Sequence, residues 1–136
     1  MEDMTLNMRT ATVLALLIVG GCSPSPKGMD AGPAAGLDAE ILKWRGEIVA
    51  TDRLCRNPGE KCQGFAVACK AMRTLSPQDT AGGITARVVA AINWNGWDPK
   101  TKESQSGSET VEFAKGAAGW VRTPHKPVNL STCADA

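Results

Sequence analysis

From residue 37 onward the spacing of apolar positions changes several times, and each change predicts an element. Leu37, Ile41 and Trp44 recur at helical intervals, so residues 37–46 read as a short helix, with Asp38 as N-cap and Gly46 as stop. Residues 47–51 read as a short strand. Asn57-Pro58-Gly59-Glu60 has the chemistry of a helix start: Asn accepts an orphan N–H, Pro suits the first turn, and Glu can complete a capping box. Cys62, Phe65, Cys69 and Met72 follow at spacings of three and four, which predicts a helix over 58–73 ending at Leu75-Ser76-Pro77. The alternation Phe65, Val67, Cys69 also allows a strand; the cap favours the helix.

The period then switches to two. Ile84, Ala86, Val88, Ala90, Ile92 and Trp94 alternate with Thr85, Arg87, Val89, Ala91 and Asn93, predicting the longest strand of the chain. The alternate positions are small or mixed, so its second face is expected to be partly covered. Residues 98–107 read as a polar loop. Residues 109–114 form a second strand with Val111 and Phe113 inward, Gly116-Ala117-Ala118-Gly119 a turn, and residues 120–123 a third strand. The predicted fold is a small single α+β domain, one or two helices packed on an antiparallel β-meander. Phe113-Ala114-Lys115, a Gly-rich turn and Trp120 are similar to the end of cystatin-like and NTF2-like α+β domains.

Ahead of this domain the pattern is different in kind. Residues 10–19 are an apolar run half the length that a membrane span requires, preceded by Arg9 and followed by Gly20-Gly21-Cys22. Val19-Gly20-Gly21-Cys22 resembles the lipobox of bacterial lipoproteins. The resemblance implies cleavage before Cys22, diacylglycerol on its thiol and acylation of the new amino group. It makes the lipid membrane a partner through Cys22. Ser23 after the Cys implies, by the same resemblance, the outer membrane with the domain facing the periplasm. Glu2 and Asp3 are unusual ahead of such a run, and Met4 and Met8 offer later starts than Met1. Residues 1–21 are thus expected to be a signal peptide, 22–37 a Pro- and Gly-containing tether, and 38–136 the folded domain.

Composition sharpens this picture. The 136 residues hold 15 Lys+Arg against 14 Asp+Glu, so there is no basic face for nucleic acid and no acidic block. Four Trp, two Phe and no Tyr make a thin core, and five cysteines suggest what supplements it. With Cys22 acylated, four remain. On a helix over 58–73, Cys62 and Cys69 stand about 10 Å apart along the axis, beyond the roughly 7 Å that a disulfide tolerates. Cys55, just before the cap, folds back onto Cys62 more easily than onto Cys69. The expected disulfides are Cys55–Cys62 and Cys69–Cys133, with Cys55–Cys69 and Cys62–Cys133 the other arrangement.

Chemistry leaves little trace. The single histidine, His125, lies between Pro124 and Pro127 on an extended segment, and no nucleophile-elbow sequence accompanies it. The cysteines lack zinc-site spacing, no glycine-rich phosphate loop is present, and no cofactor or metal is expected. Trp94-Asn95-Gly96-Trp97-Asp98 is the one stretch with the composition of a recognition surface, although the simpler reading packs Trp94 in the core and lays Trp97 over the loop. The expectation is a membrane-anchored lipoprotein of the bacterial envelope, a non-catalytic interaction or assembly module with an envelope protein partner. The alternative is a small-ligand-binding or hydrolytic domain of NTF2-like form.

Overall fold

The computed structural model describes residues 32–57 and 62–136. A 3-10 turn, Gly32–Ala34, leads into helix α1, Leu37–Thr51. Strand β1, Gln63–Arg73, is followed by the short helix α2, Pro77–Ala81. Strands β2, Ala86–Asp98, β3, Glu103–Gly116, and β4, Gly119–Pro124, complete the chain order. The four strands form one antiparallel sheet in the order β1-β2-β3-β4, with α1 packed on it. The small disulfide-stapled α+β meander anticipated from the pattern is the fold observed.

Helix α1 runs past its expected stop. Leu37, Ile41, Trp44 and Ile48 form one buried stripe that continues through Gly46, whose Cα faces open space. A mid-helix Gly costs about 1 kcal/mol relative to Ala, and burial of the Ile48 side chain more than offsets it. The strand expected over 47–51 is therefore the last turn of this helix. The N-cap is Gly36 with left-handed backbone, not Asp38, which sits in the first turn and pairs with Lys70 at 3.2 Å. Ala34 and Leu37 are buried, so the last residues assigned by composition to the tether belong to the folded body.

The helix expected over 58–73 is corrected by β1. Residues 58–61 lie outside the described residues, but 63–73 are extended and pair with β2 from Gln63↔Asn95 to Arg73↔Arg87. The Asn57 side chain reaches across to β2, where its Nδ2 donates to the Trp97 carbonyl at 2.7 Å. The supposed apolar stripe is not one: Met72 is exposed, while Cys69 is buried on the sheet. Period-two alternation and a long β2 available for pairing outweigh the local cap signal, as tertiary context commonly does. Two register shifts, between Gln63 and Ala66 and between Val67 and Cys69, kink this edge strand.

Strand β2 is covered on both faces. Val88, Ala90, Ile92 and Trp94 join Val111 and Phe113 beneath α1, with Trp44 meeting Phe113 edge-on at 6.0 Å. Val89 and Ala91 face the other way, against Cys69, Val128 and Cys133. The C-terminal segment is thus a second layer. It is held by the Cys69–Cys133 disulfide and by Arg73, which donates to the Cys133 carbonyl at 2.7 Å and to Asp135 at 3.1 Å. The other disulfide is Cys55–Cys62. Both are the pairs anticipated from the sequence.

The polar loop expected over 98–107 shrinks to residues 99–102. β3 pairs with β2 without interruption from Ala86↔Lys115 to Asp98↔Glu103. Asp98 closes this turn: its carboxylate accepts the Lys100 N–H at 2.9 Å and Arg53 Nη1 at 2.8 Å, and its carbonyl accepts the Lys102 N–H. Those two side-chain interactions, the Lys100 backbone first, hold its carboxyl below the usual range. Helix α2 went unforeseen, although Ser76-Pro77-Gln78-Asp79 is a complete capping box: Ser76 accepts the Asp79 N–H and Asp79 accepts the Ser76 N–H.

Candidate functional site

The ends of the sheet differ. At one end the chain enters: the Ala35 carbonyl accepts Trp120 Nε1 at 3.0 Å and Lys115 Nζ at 3.1 Å, beside the β2–β3 pair Ala86↔Lys115. Here α2 is tied to the sheet by Arg87, whose guanidinium meets Asp79 and Glu112, each at 2.5 Å. The Arg87 hydrogen bond and the Ser76 N–H hold the Asp79 carboxyl far below the ordinary carboxylate range. At the other end β2 reaches Asp98, about 40 Å away at some 3.4 Å per residue.

At that distant end the two faces diverge. The helix side stays packed. Trp94 is 4% exposed, stacks on Phe65 with ring centroids 5.9 Å apart, and lies directly over Gly107 on β3. Gly96 lets Leu54 approach in the same way. Among the described residues nothing covers the end of the opposite face. The C-terminal segment covers Val89 and Ala91 but not the end of the row, where Asn93, Asn95 and Trp97 face Ser104, Ser106 and Ser108 of β3. Ser106 Oγ and Asn95 Oδ1 are 3.1 Å apart, all three serines are exposed, and Trp97 is half-buried.

Trp94 and Trp97, grouped by the sequence as one possible recognition surface, are thus split. Three residues apart on a strand, their side chains leave opposite faces. Trp94 belongs to the core, and Trp97 alone joins the open face. An open cleft of about 610 Å³ lies past it, lined by Arg53, Arg56, Asp98, Pro99 and Lys100. The sequence missed the serines, because residues 98–107 read as loop. Their spacing at 104, 106 and 108 was the available signal, a period-two hydroxyl pattern with no apolar residue to mark it.

His125 is not on a freely exposed segment. Its backbone N–H donates to the Thr110 carbonyl, extending the β3–β4 ladder by one bond. Its side chain is 17% exposed, with Nδ1 2.7 Å from the Lys126 carbonyl and Nε2 3.9 Å from Asp135. A cleft of about 390 Å³ is lined by this segment together with Ser108, Glu109 and Thr110. Between helix and sheet, where a small-ligand pocket would sit, Trp44, Phe113, Ile92 and Leu37 fill the space. Among the described residues no group of three or more His, Cys, Asp or Glu is placed to hold a metal ion, and no helix is long and apolar enough to cross a membrane. Cys22 lies outside the described residues.

No protein-family model, no curated protein and no solved structure matches this chain.

Proposed function

We propose that the protein is a lipid-anchored module of the bacterial envelope that acts by binding a partner protein, not by catalysis. The observation that carries this reading is the half-face of the sheet that no described segment covers, Asn93, Asn95, Trp97, Ser104, Ser106 and Ser108, about 25–35 Å along β2 from the point where the chain enters the domain. An anchor at Cys22 would act on the entry end and leave that face turned toward the periplasm. Polar, bearing one aromatic ring and indented by a pocket of about 140 Å³ at Gly64, Asn93, Asn95 and Ser106, below the volume of a small-ligand site, the face suits contact with another macromolecule better than enclosure of a small molecule. Outer-membrane sorting follows from Ser23 by the lipobox resemblance.

Two measurements test this. Cys22→Ser should release the protein from the membrane fraction or leave its precursor unprocessed; normal maturation with detergent partitioning would refute lipidation. A photo-crosslinking residue at Asn95 should yield a discrete adduct with an envelope protein in intact cells, while one at Lys115, at the entry end, should not. Equal yields from both positions, or none from Asn95, would refute the binding face.

A further inference from the structure

The open half of β3 also has an open edge. β4 pairs with β3 only over residues 111–116, and His125 adds a single bond at Thr110. Among the described residues no strand follows on residues 103–109. The orientation of their backbone is settled by two bonds. The Lys115 carbonyl accepts from Thr85 on the β2 side, whereas the Thr110 carbonyl accepts from His125 on the outer side. With an unbroken register along β3, odd residues bond to β2 and even residues face outward. Ser104, Ser106 and Ser108 therefore present a regular row of outward N–H and C=O groups.

Natural sheets blunt such edges with bulges, prolines or lysines. β1 does so, with two register shifts. This segment of β3 has no register shift and no proline. Its charges are Glu103 and Glu109, both exposed and neither in an ion pair among the described residues. Those two carboxylates choose the occupant. A second copy of the chain, paired antiparallel about Ser106, would set Glu103 against Glu109 twice, and like charges directly opposite are destabilising. A strand with Lys or Arg at those positions is favoured by the same charges. On the other face, the cleft between Ser108 and Thr110 and the C-terminal segment is walled by Pro127, Val128 and Leu130, the last 43% exposed. An apolar side chain opposite Ser108 would lie against it.

We propose that this edge takes an extended peptide segment of a partner protein as a fifth strand. The peptide carries basic side chains opposite Glu103 and Glu109 and an apolar one opposite Ser108. This rests on the binding-module reading above and specifies its partner. Main-chain bonds supply such a contact with adhesion, and the alternating side chains supply its selectivity.

The test uses the full chain in detergent and two labelled peptides, Lys-Val-Thr-Val-Thr-Val-Lys and Glu-Val-Thr-Val-Thr-Val-Glu. Fluorescence anisotropy should show the basic peptide binding at least tenfold tighter, and Glu103→Lys with Glu109→Lys should invert the order. Ser106→Pro removes an outward N–H and no β2 bond, as edge strands tolerate; it should weaken binding at least tenfold. Hydrogen exchange on the unmutated chain gives a readout that does not depend on a variant folding. The amides of Ser104, Ser106 and Ser108 should slow on adding the basic peptide, while that of Gln105 should not change. Unchanged exchange at millimolar peptide, indifference to peptide charge, or self-association through this edge would overturn the proposal. If Asn95 crosslinks persist while the amides stay unprotected, the binding face stands and the edge assignment alone falls.

Discussion

Gly107 is one of the sheet positions with no room for a Cβ, and its replacement by Ala measures how tightly Trp94 is held. A Cβ built there falls 2.4 Å from Trp94 Cε2 and 2.5 Å from Nε1. Carbon atoms in contact sit about 3.5–4.0 Å apart, so the indole must retreat by more than about 1 Å. It has little room: Phe65 stacks on it, and the Arg45 guanidinium lies 4.8 Å over Phe65 in turn. Overpacking of this kind costs about 1–3 kcal/mol, against a gain of about 0.5–1 kcal/mol from replacing Gly in a strand. The expected net loss is about 1–2 kcal/mol. Guanidinium unfolding of the oxidised protein, followed by far-ultraviolet circular dichroism, measures it without relying on Trp fluorescence. Gly46→Ala is the control, because its Cβ meets nothing within 4 Å and lies in a helix; it should stabilise by about 0.5–1 kcal/mol. In a Trp94→Leu background the indole is gone and Gly107→Ala should no longer destabilise, a coupling of about 1 kcal/mol or more. If Gly107→Ala proves as stable as the unmutated protein, or the penalty survives loss of the indole, the account of this packing is wrong.

Removing the Cys69–Cys133 bridge by substituting both cysteines with Ala should cost about 4 kcal/mol in the chain-entropy treatment of a bridge spanning 64 residues. Limited proteolysis should then cut first within residues 125–136, and a tail as resistant as before would show that Arg73 alone suffices. Gly96→Ala should destabilise more than Gly107→Ala, because its Cβ meets the Leu54 carbonyl oxygen at 2.6 Å, and backbone yields less than a ring; equal midpoints would refute this. Asp79 titrates far lower in the folded protein than its unfolded value of about 3.9, so its contribution is complete above that pH and is lost as pH falls toward the folded value. Asp79→Asn should therefore flatten the fall in stability below about pH 4, and an unchanged acid slope would remove Asp79 from the network.

Several features were legible in the sequence because one face of one element carried the signal. Val88, Ala90, Ile92 and Trp94 announce a strand, and the small residues between them announce a second covered face. Leu37, Ile41 and Trp44 announce α1, although only the burial of Ile48 shows that it outlasts Gly46. Exclusion of a Cys62–Cys69 bridge was legible for a reason that survives the wrong secondary structure, whereas the choice of Cys62 over Cys69 as the partner of Cys55 leaned on the helix expected over 58–73. Cys62 and Cys69 are too far apart on a helix, and seven strand residues, spanning about 23 Å, separate them further.

What the sequence could not decide was competition between local and distant partners. Asn57-Pro58-Gly59-Glu60 is a sound helix start, but β2 is long enough to recruit residues 63–73 as a strand, and the chain cannot express that preference locally. Residues 103–108 have no apolar pattern of their own, so only the register imposed by β2 makes them a strand. The same dependence governs the candidate site. Composition could group Trp94 with Trp97, but strand geometry sends them to opposite faces. The sequence alone contained the chemistry of the open face, its serines and asparagines. Only tertiary structure determined that they share a surface and an edge that no described strand pairs, because both arise from where β4 and the C-terminal segment stop.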